Sequence, residues 1–477
     1  MARNGDLGYK GRVPRRPGPL LLIIASLLPW RAVGLAQPSS EDDERAPVSD
    51  LRTLTRRAER TFPSVAATSR AIEAAREQLS EAKVSPFFQF EATAAFTVMP
   101  DARGTSAYSP DSELPLGNAW SPALRLAVEG ALPLYTFGKL RAARKAARAE
   151  VDATVAERDQ TLAELRYDVR RAYFGLQMAL DLKQMISEGR PRLVHALERL
   201  EERLSEDDPD ANNMDKWRLA SALAEVNARA SEADRLEATA RAALGILTGL
   251  PRVRVPDCPL QPVAYETAPL ERYVRRATEF RPETRMLQAA TEAREADVQR
   301  HQARYFPDIG LALSAGYSYA PGVTDQNNPF VYDLVNRRTL GAALVARWSL
   351  DLWGNVHRVR RAEAQLAETE AQAHRASKGI DLEVRKTYET VLDARRREEA
   401  WAEGEREGRS WFVAAVQAYQ VGSAEPRDLV DALKAYFMAR YSHLEAIREL
   451  NEALAELERV SGRRLVPPDG WEEPCGE

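Results

Sequence analysis

The chain has 477 residues, 44% hydrophobic and 29% charged, with 25 Gly and 28 Pro, a balance that excludes collagen, low-complexity disorder and a disulfide scaffold. Its 67 basic and 71 acidic side chains leave a formal charge of -4, so no cationic excess exists to neutralise a phosphate backbone and nucleic acid is not an expected partner. The two cysteines, Cys258 and Cys475, stand outside any metal-ligand or redox-motif spacing.

Residues 1–36 carry Lys10, Arg12, Arg15 and Arg16, then an apolar run from Pro19 to Pro29, then small residues ending in Gly34-Leu35-Ala36. This order reads as a secretory signal peptide, cut after Ala36 or after Gly34. The run is too short for a helical span, which needs roughly 20 residues, and no cysteine follows that could carry a lipid. Removal of residues 1–36 leaves a mature chain near about -9, and no later apolar run is long enough to cross a bilayer as a helix.

Residues 37–85 read as an N-terminal segment and a first helix. Over 86–136 the pattern changes to period two: Phe88, Phe90, Ala92, Ala94, Phe96 and Val98 alternate with polar residues, and Leu124, Leu126, Val128, Leu132 and Leu134 do the same. Ten to twelve alternating residues are the length of a membrane-spanning strand. Residues 137–250 read as a long helical hairpin, with Pro191 the one strong breaker in its first arm and Leu162, Leu165, Val169, Tyr173, Leu176 and Leu180 forming its apolar stripe. Residues 251–305 are assigned to a linker and equatorial helices, and 306–351 to a second strand pair. In that pair Ile309, Leu311, Leu313, Ala315, Tyr317 and Tyr319 alternate first, followed by Leu340, Leu344, Trp348 and Leu350. A second hairpin over 352–462 and a tail over 463–477 complete the chain.

The second half repeats the first. Gly138 and Gly354, Tyr173 and Tyr388, Asp215 and Asp428, and Gly249 and Gly462 recur at offsets of 213 to 216. The expected fold is mainly α with a small β part: long hairpins forming an α-barrel, joined to a transmembrane β-barrel. Four strands cannot close such a barrel, and an open edge in lipid leaves backbone groups unpaired at several kcal/mol each, so oligomerisation is expected.

The junctions LPLYTFGK and WSLDLWGN, the duplicated plan and the segment AYQVGSAEPRDLVDALKAY resemble the TolC family of outer membrane efflux proteins, over about Pro47 to Gly462. The resemblance implies a homotrimer whose twelve strands make one outer-membrane barrel and whose helices make a periplasmic tunnel. It implies a passive exit duct of a tripartite efflux or type I secretion system, with a periplasmic adaptor (membrane fusion) protein, an inner-membrane transporter and outer-membrane lipid as partners. Tyr419, Val421, Gly422 and Ser423 fit the family's hairpin tip and would contact the adaptor. Asp428 and Asp431, three apart on one helix face, would ring the aperture and favour cations; the local alternative is that Asp428 caps a helix start. Ala424 stands where the best-known family pattern has a basic residue, and Pro209 where the first tip would have a glycine.

The rival reading is an exported structural coiled coil without a pore. Enzyme motifs are missing from the sequence: there is no HExxH, no GxSxG and no phosphate loop, and His195, His301, His357, His374 and His443 are read as helix-surface residues. No cofactor or metal is expected. Cys258 and Cys475 follow the closing helices of the two halves, and export permits a bridge between them.

Overall fold

The structure, a computed structural model, describes residues 48–471 apart from 88, 105–118, 207, 209–210, 327–329, 331–332, 334 and 422. The expected signal segment, Phe88, Pro209, Gly422 and Cys475 therefore lie outside the described residues.

The described chain opens with α1 (Leu51–Thr61) and α2 (Pro63–Val84). One helix was expected here, and Pro63 makes two. A proline pushes the residue before it out of the helical region, and Phe62 is extended, with φ -70° and ψ 127°. Then come β1 (Gln89–Pro100), β2 (Trp120–Tyr135), α3 (Lys139–Ser205) and α4 (Asn213–Thr248). The second half runs α5 (Leu270–Phe280), α6 (Pro282–Ala303), β3 (Asp308–Tyr319), β4 (Arg337–Arg347), α7 (Leu352–Gln420) and α8 (Pro426–Ser461). Trp348 and Leu350, counted with the fourth strand in the sequence reading, lie just past the end of β4.

The duplication extends to element length. Helices α1 and α5 have 11 residues each, α2 and α6 have 22 each, and both longer helices start at a proline preceded by an extended residue. Helices α4 and α8 have 36 residues each and end on left-handed glycines, Gly249 at φ 66° and Gly462 at φ 70°, a conformation that a Cβ would strain. The pair Gly138 and Gly354 diverges: Gly138 has φ 97°, whereas Gly354 sits in the first turn of α7 and donates its N–H to the Asp351 carboxylate at 3.1 Å.

Helices α3 and α7, of 67 and 69 residues, each span about 100 Å. Pro191 does not break α3. It removes the hydrogen bond to the Ser187 carbonyl, but Ser187 and Pro191 are both exposed, so water can reach the freed oxygen. Near the sheet α3 packs between α2 and α6, and toward its far end between α4 and α8. Ala142, Ala149 and Ala156 on α3 and Ala289, Ala296 and Ala303 on α6 are all buried. Small residues seven apart let the helices approach closely and impose a left-handed supercoil.

Two cores result. The larger, at the waist, gathers Leu54 of α1, Val169, Tyr173 and Leu176 of α3, Tyr273 of α5, Leu454 and Leu457 of α8, and Trp471. The smaller binds the two hairpin ends together through Leu193, Leu200, Leu219, Phe412 and Leu433. The four strands form one antiparallel sheet in the order β1-β2-β3-β4, with β2 and β3 joining the halves.

Candidate functional site

Strand register sorts the sheet into two faces. On one, Phe90, Ala92, Ala94, Phe96 and Val98 of β1 lie beside Gly130, Val128, Leu126, Leu124 and Pro122 of β2. The row continues through Leu311, Leu313, Ala315, Tyr317 and Tyr319 of β3 to Leu340 and Leu344 of β4. Phe96 is 75% exposed, Leu344 72% and Leu340 91%. Among the described residues no element covers these side chains, and a contiguous exposed apolar surface marks a protein–protein or membrane interaction site. The other face carries Gln89, Glu91, Thr93, Thr97, Arg125, Glu129, Ser314, Ser318 and Thr339 among small residues. It suits water.

Among the described residues β1 pairs only with β2 and β4 only with β3. At several kcal/mol for each unpaired backbone group in hydrocarbon, a handful on either edge would exceed the whole stability of a domain, about 5–15 kcal/mol. The sheet therefore enters lipid only when both edges are paired by other chains.

Where the sheet meets the helices, Phe137 at φ 49° and Gly138 turn the chain from β2 into α3. The Phe137 ring stacks on Phe306 at 5.0 Å and meets the edge of Tyr135 at 4.7 Å. Lys139 Nζ donates to the Phe306 carbonyl at 2.9 Å and to Asp308 at 2.8 Å, and Trp348 Nε1 donates to the Tyr305 carbonyl at 3.1 Å. With Trp353, 84% exposed, these rings cluster where the sheet meets the helices, the arrangement that aromatic side chains take at a membrane boundary.

At the far end, Asp428 is the third residue of α8 and closes a capping box: the Glu425 side chain accepts from the Asp428 backbone, and Asp428 accepts from the Glu425 N–H at 3.4 Å. Asp431 is exposed one turn on, while Leu429 and Val430 between them are buried. Both carboxylates thus sit on the outer side of the tip core. Val421 is 78% exposed, and Ser423 donates through N–H and Oγ to the Ala418 carbonyl at 2.9 and 3.1 Å. Tyr419 is half-buried and packs on the tip core.

Two histidines correct the surface reading. His301 is buried on α6. His443 of α8 sits between two glutamates of α7, Nδ1 to Glu405 at 2.6 Å and Nε2 to Glu398 at 3.4 Å, with its side chain 18% exposed. Burial opposes a charge on His443, but the two carboxylates outweigh it and hold its pKa above the ordinary value. Glu398 and Glu405 are seven apart, a spacing that could have marked them as one helix face. Their partner, 38 residues beyond Glu405 on another helix, could not be read locally.

The segment after Cys258 is pinned at the waist: Leu260 N donates to Asp181 at 2.7 Å and Val263 N to Asn451 at 2.8 Å. The tail reaches the same region, with the Arg170 guanidinium 3.8 Å from the Trp471 ring centre.

The family model described as outer membrane efflux protein matches residues 54–205 and 273–463. No curated protein matches the chain. Among solved structures, the chain is similar to the open-state MtrE outer membrane channel of Neisseria gonorrhoeae (TM-score 0.70, 19% identity, 87% of this chain and 89% of that one). It is also similar to the outer-membrane channel OprN (TM-score 0.68, 18% identity, 87% and 90%) and to the outer membrane protein VceC of Vibrio cholerae (TM-score 0.67, 18% identity, 90% and 99%). At these identities the likeness establishes the fold.

Proposed function

Because the chain belongs to the outer membrane efflux protein family, we propose that three copies assemble into a passive exit duct, fed by an inner-membrane transporter through a periplasmic adaptor. One observation carries the reading: a single apolar face runs across four strands whose two outer edges have no strand partner among the described residues. Two copies would supply eight strands, and an eight-stranded interior is just filled by side chains. Three supply twelve, which leaves room for passage. Residues 1–36 would direct export and be removed at Ala36 or Gly34.

The hairpin ends, with Tyr419, Val421, Gly422 and Ser423, are assigned to the adaptor, and Asp428 and Asp431 to a carboxylate ring at the aperture. Support for the ring is the outward placement of both acids. Asp428 also caps α8, so Asp431→Asn is the cleaner probe. Cys258 and Cys475 are assigned to a bridge that ties the tail to the waist; Trp471, four residues before Cys475, is already held there.

The purified chain added to a planar lipid bilayer should give discrete conductance steps. Asp431→Asn, and more so Asp428→Ala with Asp431→Ala, should raise conductance and lower cation preference. No conductance from the unaltered chain would refute the duct, whereas steps unchanged by the substitutions would refute only the ring.

A further inference from the structure

Every position on the apolar face of the sheet is Ala, Val, Leu, Ile, Phe, Tyr, Trp, Pro or Gly except one, Arg338 at the start of β4. Among the described residues no acid shares that face. Arg338 lies directly across from Tyr317, with its guanidinium carbon 5.7 Å from the ring centre. We propose that Arg338, seated against Tyr317, grips a phosphate of an anionic lipid in the outer leaflet and so fixes the depth of the sheet in the membrane. The proposal rests on the sheet being the lipid-embedded part of the duct.

Depth is the first argument. An Arg on the lipid face of a barrel costs about 2–4 kcal/mol at the midplane and about 0–1 kcal/mol near an interface, so Arg338 belongs at a boundary. From Arg338 the same face of β4 continues through Leu340, Ala342, Leu344 and Ala346, and Trp348 follows just past the strand end. Ten residues of extended chain cover about 33 Å, or roughly 25 Å once tilted by about 40°, which is the height of the apolar band of an outer-membrane barrel. With Trp348 at the inner boundary, Arg338 falls at the outer one.

Orientation agrees. The long helices leave the sheet at the Trp348 end, and the family's helices extend into the periplasm, so the Arg338 end meets the outer leaflet. Chemistry supplies the occupant. A guanidinium presents paired N–H donors in a planar fork that match two phosphate oxygens, and the Tyr317 ring centre 5.7 Å away favours its charge. On that face its register neighbours are Tyr317, Leu126 and Leu340, none of them charged.

The full chain would be reconstituted in phosphatidylcholine vesicles, in the same vesicles with diphosphorylated lipid A, and in vesicles with its dephosphorylated form. The reading is the midpoint of thermal unfolding. The phosphorylated lipid should raise the midpoint of the unaltered chain, Arg338→Gln should abolish the rise, and Arg338→Lys should keep part of it. Arg125→Gln, on the opposite face, should keep all of it. An equal rise in Arg338→Gln, with the dephosphorylated lipid, or from inorganic phosphate in phosphatidylcholine alone overturns the proposal. Insertion of the unaltered chain and of Arg338→Gln into phosphatidylcholine reads the membrane role separately: failure of both to insert sinks both readings.

Discussion

Arg170 Nη1 and Glu458 Oε1 meet at 2.8 Å with both side chains less than a tenth exposed, and they join α3 to α8 across 288 residues of chain. The guanidinium also lies on the Trp471 ring, and the second Glu458 oxygen accepts from the Leu465 N–H at 2.9 Å. One ion pair therefore fixes the two hairpins and the tail at the waist. Arg170→Met strands a buried carboxylate and should cost about 3–5 kcal/mol. Glu458→Leu should cost at least as much, because it also orphans the backbone N–H of Leu465. Unfolding of the detergent-solubilised protein measures both, and a loss below about 1 kcal/mol in Arg170→Met would contradict the assignment.

The His443 contacts make stability depend on pH. Its folded pKa is raised above the unfolded value of about 6.5, so its contribution is fully present below about pH 6.5 and is lost as pH rises through the folded value. Glu405 moves the opposite way: the His443 hydrogen bond, against burial, lowers its pKa. That contribution is present above its unfolded pKa and disappears as pH falls through the lowered one. Melting of the unaltered protein should soften as pH rises from 6 toward 9, and His443→Gln should remove most of that slope. A slope retained in His443→Gln would place its origin in another group that titrates between pH 6 and 9.

Much of the fold was legible because each strand faces lipid on one side and water on the other, which forces the alternation seen from Phe90 to Val98 and from Ile309 to Tyr319. The hairpins were legible because the stripe from Leu165 to Leu176 must pack. Less visible was what depends on two distant segments. Arg281 pairs with Glu383 at 2.6 Å and Arg459 with the same Glu383 at 2.8 Å, and no local pattern singles these residues out from the many charges of solvated helix faces. The break at Pro63 was overlooked although Pro282 marks the same break in the second half. Asp428 was placed correctly at a helix start, but Glu425, its partner in the capping box, was not foreseen.

Gly189 of α3 faces the Phe437 ring of α8 with no room for a side chain. A Cβ built there would lie 2.1 Å from the Phe437 ring, and one on Gly408 would lie 3.2 Å from the Tyr436 backbone. Gly189→Val should destabilise by about 1–3 kcal/mol through overpacking, and pairing it with Phe437→Leu should recover part of the loss. Equal stability of Gly189→Val and the unaltered protein would mean that α3 and α8 pack more loosely than described.

Glu91 and Glu129 stand directly opposite each other on the polar face. Like charges across a strand pair oppose folding by roughly 0.2–1 kcal/mol, and in a closed barrel they would add negative potential to the lumen. Glu91→Gln with Glu129→Gln should stabilise the protein slightly and shift the reversal potential in a salt gradient toward anions. An unmoved reversal potential would place these side chains away from the conducting path.

In the proposed duct, four strands with two open edges are completed by two further copies of the chain. Light scattering of the particle extracted from outer membranes in detergent, corrected for bound detergent, tests it most directly. Three chain masses per particle are expected, recovered only from the membrane fraction. A single chain per particle, or a chain recovered intact from the soluble fraction without detergent, would contradict it.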